Sequence, residues 1–504
     1  MDIFIIKSFI PEIFLSSSIL LQLVLNIGAI KNIKLNFPII IKEVYIQTLF
    51  ILVSLFLLYN KLEITCLTNI FVNDNSIIFL KFTLSLISLG CIIICKKALL
   101  LQKLNLFEFF PLFLLALFAL LIMLSSENLI SFYLAMEMQA LCFYVLASFN
   151  RTSVFSAEAG LKYFISGSFM SGVYLLGSSI IYGCLGTLDL SSINLLLSFN
   201  IENNVYLEYL LKIGFLLIIF TLLFKIASAP FHFWSPDVYE GSPLSSTIVF
   251  AILPKISLFY FFIKLLISTG IFFEDISDLL LIFGLCSILI GTFYALNQKR
   301  IKKLIIYSSI AQVGFLVSIL SLQTFESFSS LFFFLFIYLI TSIVLWGYVV
   351  FFFNSSTIVR NFSNKGLVSI YISDFSNFAK INLLWCVSIL FIFFSIGGIP
   401  PFVGFISKMI ITLQFVDSGY FFVASFLLII SAISVYYYIR IVKISFFESN
   451  KLIRTLPMHV VFNNEINIEY LLLSLFLLLL LLLFLFPTPL FLICQYIIAY
   501  LRFI

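Results

Sequence analysis

The sequence predicts an all-α polytopic membrane protein with about 14 transmembrane helices, two of them broken. Three observations carry this. Of 504 residues, 62% are hydrophobic and 10% are charged, with a mean hydropathy of +1.20. No soluble fold of that size hides so much apolar surface. Apolar runs of about 20 residues, the length that crosses a bilayer as a helix, recur along the chain. The basic residues, finally, fall mainly into alternate connections between those runs.

Hydropathy places the first three helices over 11–30, 43–60 and 76–95, within an N-terminal region 1–106. Five more follow over 107–124, 128–149, 158–184, 205–229 and 244–268. Another five cover 277–296, 301–321, 328–353, 381–413 and 419–447, and a last one 468–494. The longest connections, about 355–380 and 448–467, do not read as soluble domains. The helix over 205–229 breaks at Pro230 and Pro236, just after Lys225, with His232 in the break. Proline removes a backbone donor and clashes with the preceding turn, so the hydrogen-bond ladder must open there. The 381–413 run is too long for one straight span and holds "GGIPPFVG", with Pro400 and Pro401, before Lys408. Irregular backbone inside a membrane persists only where protein or water satisfies it. Transporters set such breaks in matching halves around the transported ion.

The 64 phenylalanines and scarce alanine read as the substitution pattern of an AT-rich genome, which suits an organelle. The N-terminal "MDIFIIKSFIPEIF" has no basic n-region or small-residue cleavage site, so no signal or transit peptide is expected. The 8 cysteines include no C-x-x-C, and Cys91 and Cys95, one turn apart in an apolar run, read as packing residues. With two distant histidines, this chain alone assembles no haem, iron–sulfur or metal site. No G-x-G-x-x-G or P-loop opens a helix, so neither an electron carrier nor a nucleotide is expected on it.

Of the 28 basic residues, eighteen fall on one side of a 14-helix arrangement. The positive-inside rule makes that side the cytoplasm or matrix, with both termini facing outward. Six, Lys7, Lys61, Lys81, Lys212, Lys264 and Arg502, fall on the other side and its helix ends. The remaining four, Lys162, Lys225, Lys255 and Lys408, lie inside helices. Among the acids Glu137 sits comparably deep, 10 residues from Glu127 and 14 from Arg151, roughly 15 and 21 Å at 1.5 Å per residue.

A charge at the bilayer centre costs about 2.5–3.5 kcal/mol even on the lenient insertion scale. One carboxylate cannot neutralise four lysines, so the spare lysines must be hydrated or neutral for part of the time. Lysine suits that state because its pKa shifts readily on burial, whereas arginine stays charged. Such a row reads as a proton relay that a nearby carboxylate can gate. A buried ion pair is the rival reading for any one residue. For Lys162, four residues after Glu158, an ordinary i, i+4 pair is a live alternative.

The segment "APFHFWSPDVYEGSP" resembles the broken-helix signature of the antiporter-like chain 2 subunits of respiratory NADH–ubiquinone oxidoreductase (complex I). "YLAMEMQALCFYVLASF", "EAGLKYFISGSFMSG", "LPKISLFYFFIKLL", "YSSIAQVGF" and "GGIPPFVGFISK" occur in that family's order, so the resemblance covers roughly 11–445. "PDVYEG" and the final "ISK" favour chain 2 over chains 4 and 5 and over multi-subunit sodium/proton antiporters. The resemblance implies two inverted five-helix repeats, 107–268 and 277–447, with 448–504 supplying a loop and a C-terminal helix that packs against a neighbour. It implies that Glu137 pairs with Lys225, that Lys162 and Lys255 link the first half-channel to a central axis, and that Lys408 serves the exit route. Flavin, iron–sulfur clusters and ubiquinone are then expected on partner subunits of the complex, with lipids but no nucleic acid around this chain. The implied location is the mitochondrial inner membrane, both termini facing the intermembrane space, although an AT-rich bacterium fits the composition as well.

Where many members of that family have histidine, this chain has Gln312, which can hold a water chain but cannot titrate near neutral pH. His232 reads as a hydrogen-bonding residue of the helix break, with a relay role as the alternative, and His459 as solvated. The runner-up function is a stand-alone or Mrp-type cation/proton antiporter subunit.

Overall fold

The computed structural model describes residues 9–30, 38–59, 66–67, 70–102, 104, 107–200, 205–270, 274–360, 371–376, 379, 383–448 and 468–502. Nearly all of them are helical, as a chain in lipid requires, because only helices and closed barrels satisfy every backbone group there. The helices are α1 (Ile10–Ile30), α2 (Pro38–Tyr59), α3 (Asn75–Gln102), α4 (Phe109–Ser125), α5 (Leu129–Ala147) and α6 (Val154–Leu185). Then come α7 (Leu190–Asn200), α8 (Val205–Ile226), α9 (Trp234–Gly241), α10 (Leu244–Ile252), α11 (Pro254–Thr269), α12 (Glu274–Asn297) and α13 (Ile301–Leu320). The series closes with α14 (Phe325–Arg360), α15 (Leu383–Gly397), α16 (Val403–Asp417), α17 (Phe421–Phe447), α18 (Ile468–Leu485) and α19 (Thr488–Arg502).

Among the described residues, 10 helices are long and apolar enough to cross a membrane. The α18–α19 pair and three shorter apolar helices, Ile10–Asn26, Phe109–Ser125 and Leu383–Gly397, fall at the other positions where the sequence predicts spans. Caps fix several helix starts. The Asn128 side chain accepts from the Ile130 N–H at 2.8 Å, and Ser153 accepts from the Ser156 N–H at 3.3 Å. α6 ends on Gly186, whose φ of 73° is the left-handed conformation glycine adopts without penalty. Midway along α6 and α8 the backbones nearly touch: a Cβ on Gly177 would lie 2.7 Å from the Gly214 carbonyl oxygen, so both positions need the small residue.

Four features differ from the sequence expectation. A two-stranded antiparallel hairpin, Cys66–Leu67 with Val72–Asn73, precedes α3. α7 occupies a stretch read as a connection. The 244–268 run is two helices joined at Leu253, with Pro254 opening the second. The expected single helix over 468–494 is a pair bent by 88°, because Pro487 and Pro489 flank the turn and cannot donate to a continuing ladder.

The chain divides into two compact units. The first comprises Met1–Ala227, Gly241–Asp278 and Tyr496–Ile504, and the second Ser228–Glu240 and Leu279–Gln495. Every residue of Leu244–Thr269 except Ile267 is buried.

Candidate functional site

In the first unit, Lys225 occupies the last turn of α8, where the negative end of the helix dipole favours an ammonium. Its side chain is 5% exposed and its Nζ lies 3.9 Å from Glu137 Oε1. At that separation the charges attract, but no hydrogen bond joins them, and both atoms are buried without a hydrogen-bond partner. Directly after Lys225 the ladder stops. Ala227 turns to φ 64° and its N–H donates to the Phe224 carbonyl at 3.0 Å, closing a tight turn. Lys255, the second residue of α11, is buried beside the Leu253–Pro254 junction. Lys162 is different. Its side chain is 47% exposed and pairs with Glu158 at 2.8 Å, one turn back on α6. The structure therefore brings Glu137 and Lys225 together, buries Lys255, and leaves Lys162 on an outer face of the isolated chain.

The break itself, Ser228–Glu240, belongs to the second unit. The Ala229–Pro230 peptide is cis. His232 is buried, its Nδ1 has no hydrogen-bond partner, and its carbonyl accepts from Ser235 N–H at 3.0 Å. Pro236, expected to help break the helix, instead lies in the first turn of α9. Its missing N–H is harmless there, because the first turn has no intrahelical acceptor for it. Glu240 near the end of α9 holds Arg300 Nη1 at 2.5 Å and Lys303 Nζ at 2.8 Å.

The other break separates α15 from α16, with Gly398 at φ 79° and a cis Pro400–Pro401 bond. It leaves the carbonyls at the end of α15 without helical partners. Lys408, buried on α16, supplies them: Nζ donates to the Gly397 carbonyl at 2.8 Å and the Ile396 carbonyl at 3.0 Å. The ammonium also faces the Phe315 ring, 5.6 Å from its centroid. Gln312 Nε2 donates to the same Ile396 carbonyl at 3.3 Å, so Gln312 and Lys408 meet on one oxygen.

Sequence reasoning missed several buried charges. Lys81 and Lys264, read as lying at helix ends, are both buried. Lys81 Nζ donates to Glu12 Oε1 and Asn73 Oδ1, each at 2.5 Å. Lys264 Nζ donates to Glu127 Oε1 at 2.5 Å and to the Ser126 carbonyl at 3.2 Å. Glu43 on α2 is also buried and accepts from Gln22 Nε2 at 2.7 Å. A signal was present for the first two pairs: Glu12 and Glu127 fall on the same expected side as Lys81 and Lys264. His459 lies outside the described residues.

Residues 126–434 match the family described as NADH:quinone oxidoreductase/Mrp antiporter, TM. The chain is 34% identical to NADH-ubiquinone oxidoreductase chain 2 of Oenothera berteroana, over 87% of this chain and 88% of that one. It is 33% identical to NADH-ubiquinone oxidoreductase chain 2 of Marchantia polymorpha over 96% of each, and 33% identical to NADH-quinone oxidoreductase subunit N of Pelagibacter ubique over 88% and 90%. Its fold is similar to a chain of respiratory complex I from Thermus thermophilus, with a TM-score of 0.74 at 23% identity over 96% of this chain and 98% of that one. It is likewise similar to a chain of the Mrp complex from Dietzia, with a TM-score of 0.80 at 17% identity over 99% and 98%. Two broken helices, each with a lysine beside its break, and a match running through both of them agree: the chain belongs to the NADH:quinone oxidoreductase/Mrp antiporter family of membrane proteins.

Proposed function

We propose that this chain is the chain 2 (subunit N) type membrane subunit of a proton-translocating NADH:ubiquinone oxidoreductase, carrying protons while electrons pass through other subunits. The single observation behind it is the Glu137–Lys225 pair: its facing atoms buried, 3.9 Å apart, without a shared hydrogen bond, and one turn from a helix break. A structural ion pair gains from close, saturated geometry. A gated pair has to let go, and this spacing keeps the attraction while leaving the ammonium free to pass its proton on.

In this reading Glu137 sets when Lys225 holds its proton, Lys255 extends the route within the first unit, and Lys408 with Gln312 forms the corresponding station of the second. Lys162 joins the route only if a neighbouring subunit covers its face. The halves 107–268 and 277–447 act as inverted repeats. Flavin, iron–sulfur clusters and ubiquinone sit on partner subunits. The membrane is the mitochondrial inner membrane, with both termini toward the intermembrane space; the plant chain 2 relatives support the organelle.

The test is Lys225→Arg in the assembled complex, reading quinone-coupled proton pumping in proteoliposomes. Arginine keeps the charge but does not release its proton, so pumping through this subunit should be lost while assembly persists. Normal pumping would reduce the pair to a helix fastener. Vigorous pH-driven cation exchange by the isolated chain would instead favour a stand-alone antiporter.

A further inference from the structure

The second unit holds two tyrosines that the proposed relay leaves unused. Tyr437 and Tyr438 are neighbours on α17, 1% and 0% exposed, with ring centroids 4.3 Å apart. Tyr438 packs on the second helix break. Its ring centroid lies 5.8 Å from that of Phe393 on α15, and a Cβ on Gly397 would be 3.4 Å from its Cδ2. Gly397 is also the residue whose carbonyl accepts from Lys408 Nζ at 2.8 Å. Tyr438 and the Lys408 ammonium therefore meet the same glycine, the tyrosine by packing and the lysine by a hydrogen bond.

Packing accounts for the rings but not for the hydroxyls. Both are buried without a hydrogen-bond partner among the described residues, a costly state for a phenol, which finds a partner in most buried settings. Phenylalanine would fill the same space without that cost, and the chain uses phenylalanine 64 times. The surroundings are polar. The side chains of Tyr437, Ser308 and Gln312 act on the Tyr438 hydroxyl, and those of Tyr438 and Ser434 act on Tyr437, yet none of them reaches hydrogen-bond geometry. The Ser308 and Ser434 hydroxyls give their hydrogens to the Ile305 and Ser431 carbonyls at 2.8 and 2.6 Å. What they still offer a tyrosine is a lone pair.

We propose, resting on the relay reading of Lys408, that Tyr438 and Tyr437 are proton-passing residues of the second unit, whose hydroxyls, bridged by water, join Lys408 to the Ser308–Gln312 face of α13. In each hand-off the phenol oxygen accepts a proton on a lone pair as its own O–H proton leaves on the other side. No tyrosinate forms, and rotation of the hydroxyl resets it for the next proton. At Lys408 the ammonium gives one proton to the adjoining water and is left neutral until the next arrives. Gln312 cannot take this part, because its amide has no proton to release near neutral pH. Its Nε2 instead holds the Ile396 carbonyl at 3.3 Å, one residue before Gly397, and so keeps the break in place against the Tyr438 ring.

The test sets Tyr438→Phe, Tyr437→Phe and the double variant beside Lys408→Arg, each in the assembled complex in proteoliposomes. Quinone-coupled pumping is followed in H2O and D2O, and melting is measured on the same samples. Water bridges part of the gap, so Tyr438→Phe should slow pumping about tenfold rather than the roughly hundredfold or more of a lost catalytic acid or base. Its solvent isotope effect should rise, because the lengthened hand-off limits the step, and it should melt no earlier than wild type, because no hydrogen bond is lost. Tyr437→Phe should do less, since Tyr438 is the one packed on Gly397, and the double variant should pump no faster than Tyr438→Phe. Wild-type pumping by the double variant while Lys408→Arg is inactive would overturn the tyrosine route and leave the Lys408 relay standing. Normal pumping by Lys408→Arg would remove the station these hydroxyls serve and overturn both. Pumping lost together with thermal stability, at an unchanged isotope effect, would make the hydroxyls packing groups and overturn the proposal as well.

Discussion

Lys408 separates two jobs that a buried lysine can do. Its Nζ holds the Gly397 and Ile396 carbonyls at 2.8 and 3.0 Å, and in the proposed relay it also gives up its proton. Lys408→Met leaves the Gly397 carbonyl without its lysine donor, a cost of about 1–3 kcal/mol. Ile396 fares better because Gln312 still donates to it at 3.3 Å. Removing a buried charge returns part of the loss, so the Met variant should melt only slightly earlier than the wild type. Lys408→Arg retains several donors for the same two carbonyls and keeps the charge, but it cannot release a proton. In assembled complexes reconstituted into proteoliposomes, both variants should lose quinone-coupled pumping by about tenfold or more, equivalent to about 1.4 kcal/mol at the limiting step. Only the Met variant should lose thermal stability through the missing cap. Lys408→Arg that assembles and pumps at the wild-type rate would refute the relay role and leave Lys408 as a helix cap alone.

Glu137→Gln should cripple pumping and Glu137→Asp should keep part of it, because the shorter acid retains the charge and loses reach; pumping assays of both variants check the order. Gln312→His should be tolerated, whereas Gln312→Leu removes a hydrogen bond worth about 0.5–1.5 kcal/mol. Combined with Lys408→Met, its effect on melting should exceed the sum of the single variants, since the two side chains share the Ile396 carbonyl. Lys162→Gln should disturb pumping less than Lys225→Met, as Lys162 sits in an exposed pair with Glu158. Asp74 binds its proton more tightly folded than unfolded. The wild type should therefore lose stability relative to Asp74→Asn as pH rises through the folded value, read as a pH-dependent gap in melting temperature.

The sequence carried the helices because lipid enforces them: runs of apolar residues leave the backbone no other satisfied state. It also carried both breaks, since Pro230 and the Gly398–Pro401 stretch cannot continue a ladder. Pro236 was misread because proline has opposite meanings inside a helix and in its first turn. The proximity of Lys225 to Glu137 was suggested by resemblance and could not follow from spacing, since the two residues lie on different helices. The Lys81–Glu12 and Lys264–Glu127 pairs were obscured by counting depth from helix ends. A residue close to an end in sequence can still be roofed over by a connection, as Lys264 is by the Leu124–Glu127 segment.

The 88° bend between α18 and α19 bears on how this chain's topology would be mapped. α18 has 18 residues and is about 27 Å long at 1.5 Å per residue, close to the thickness of the hydrocarbon layer. With α18 standing across the bilayer, a helix turned at nearly a right angle to it would run along the sheet of lipid, and α19 would then add no crossing and leave the parity of spans unchanged. An epitope fused after α19 would consequently report the face at which Leu485 emerges. Epitopes inserted on either side of the Pro487–Pro489 corner should become accessible to the same antibody from the same compartment.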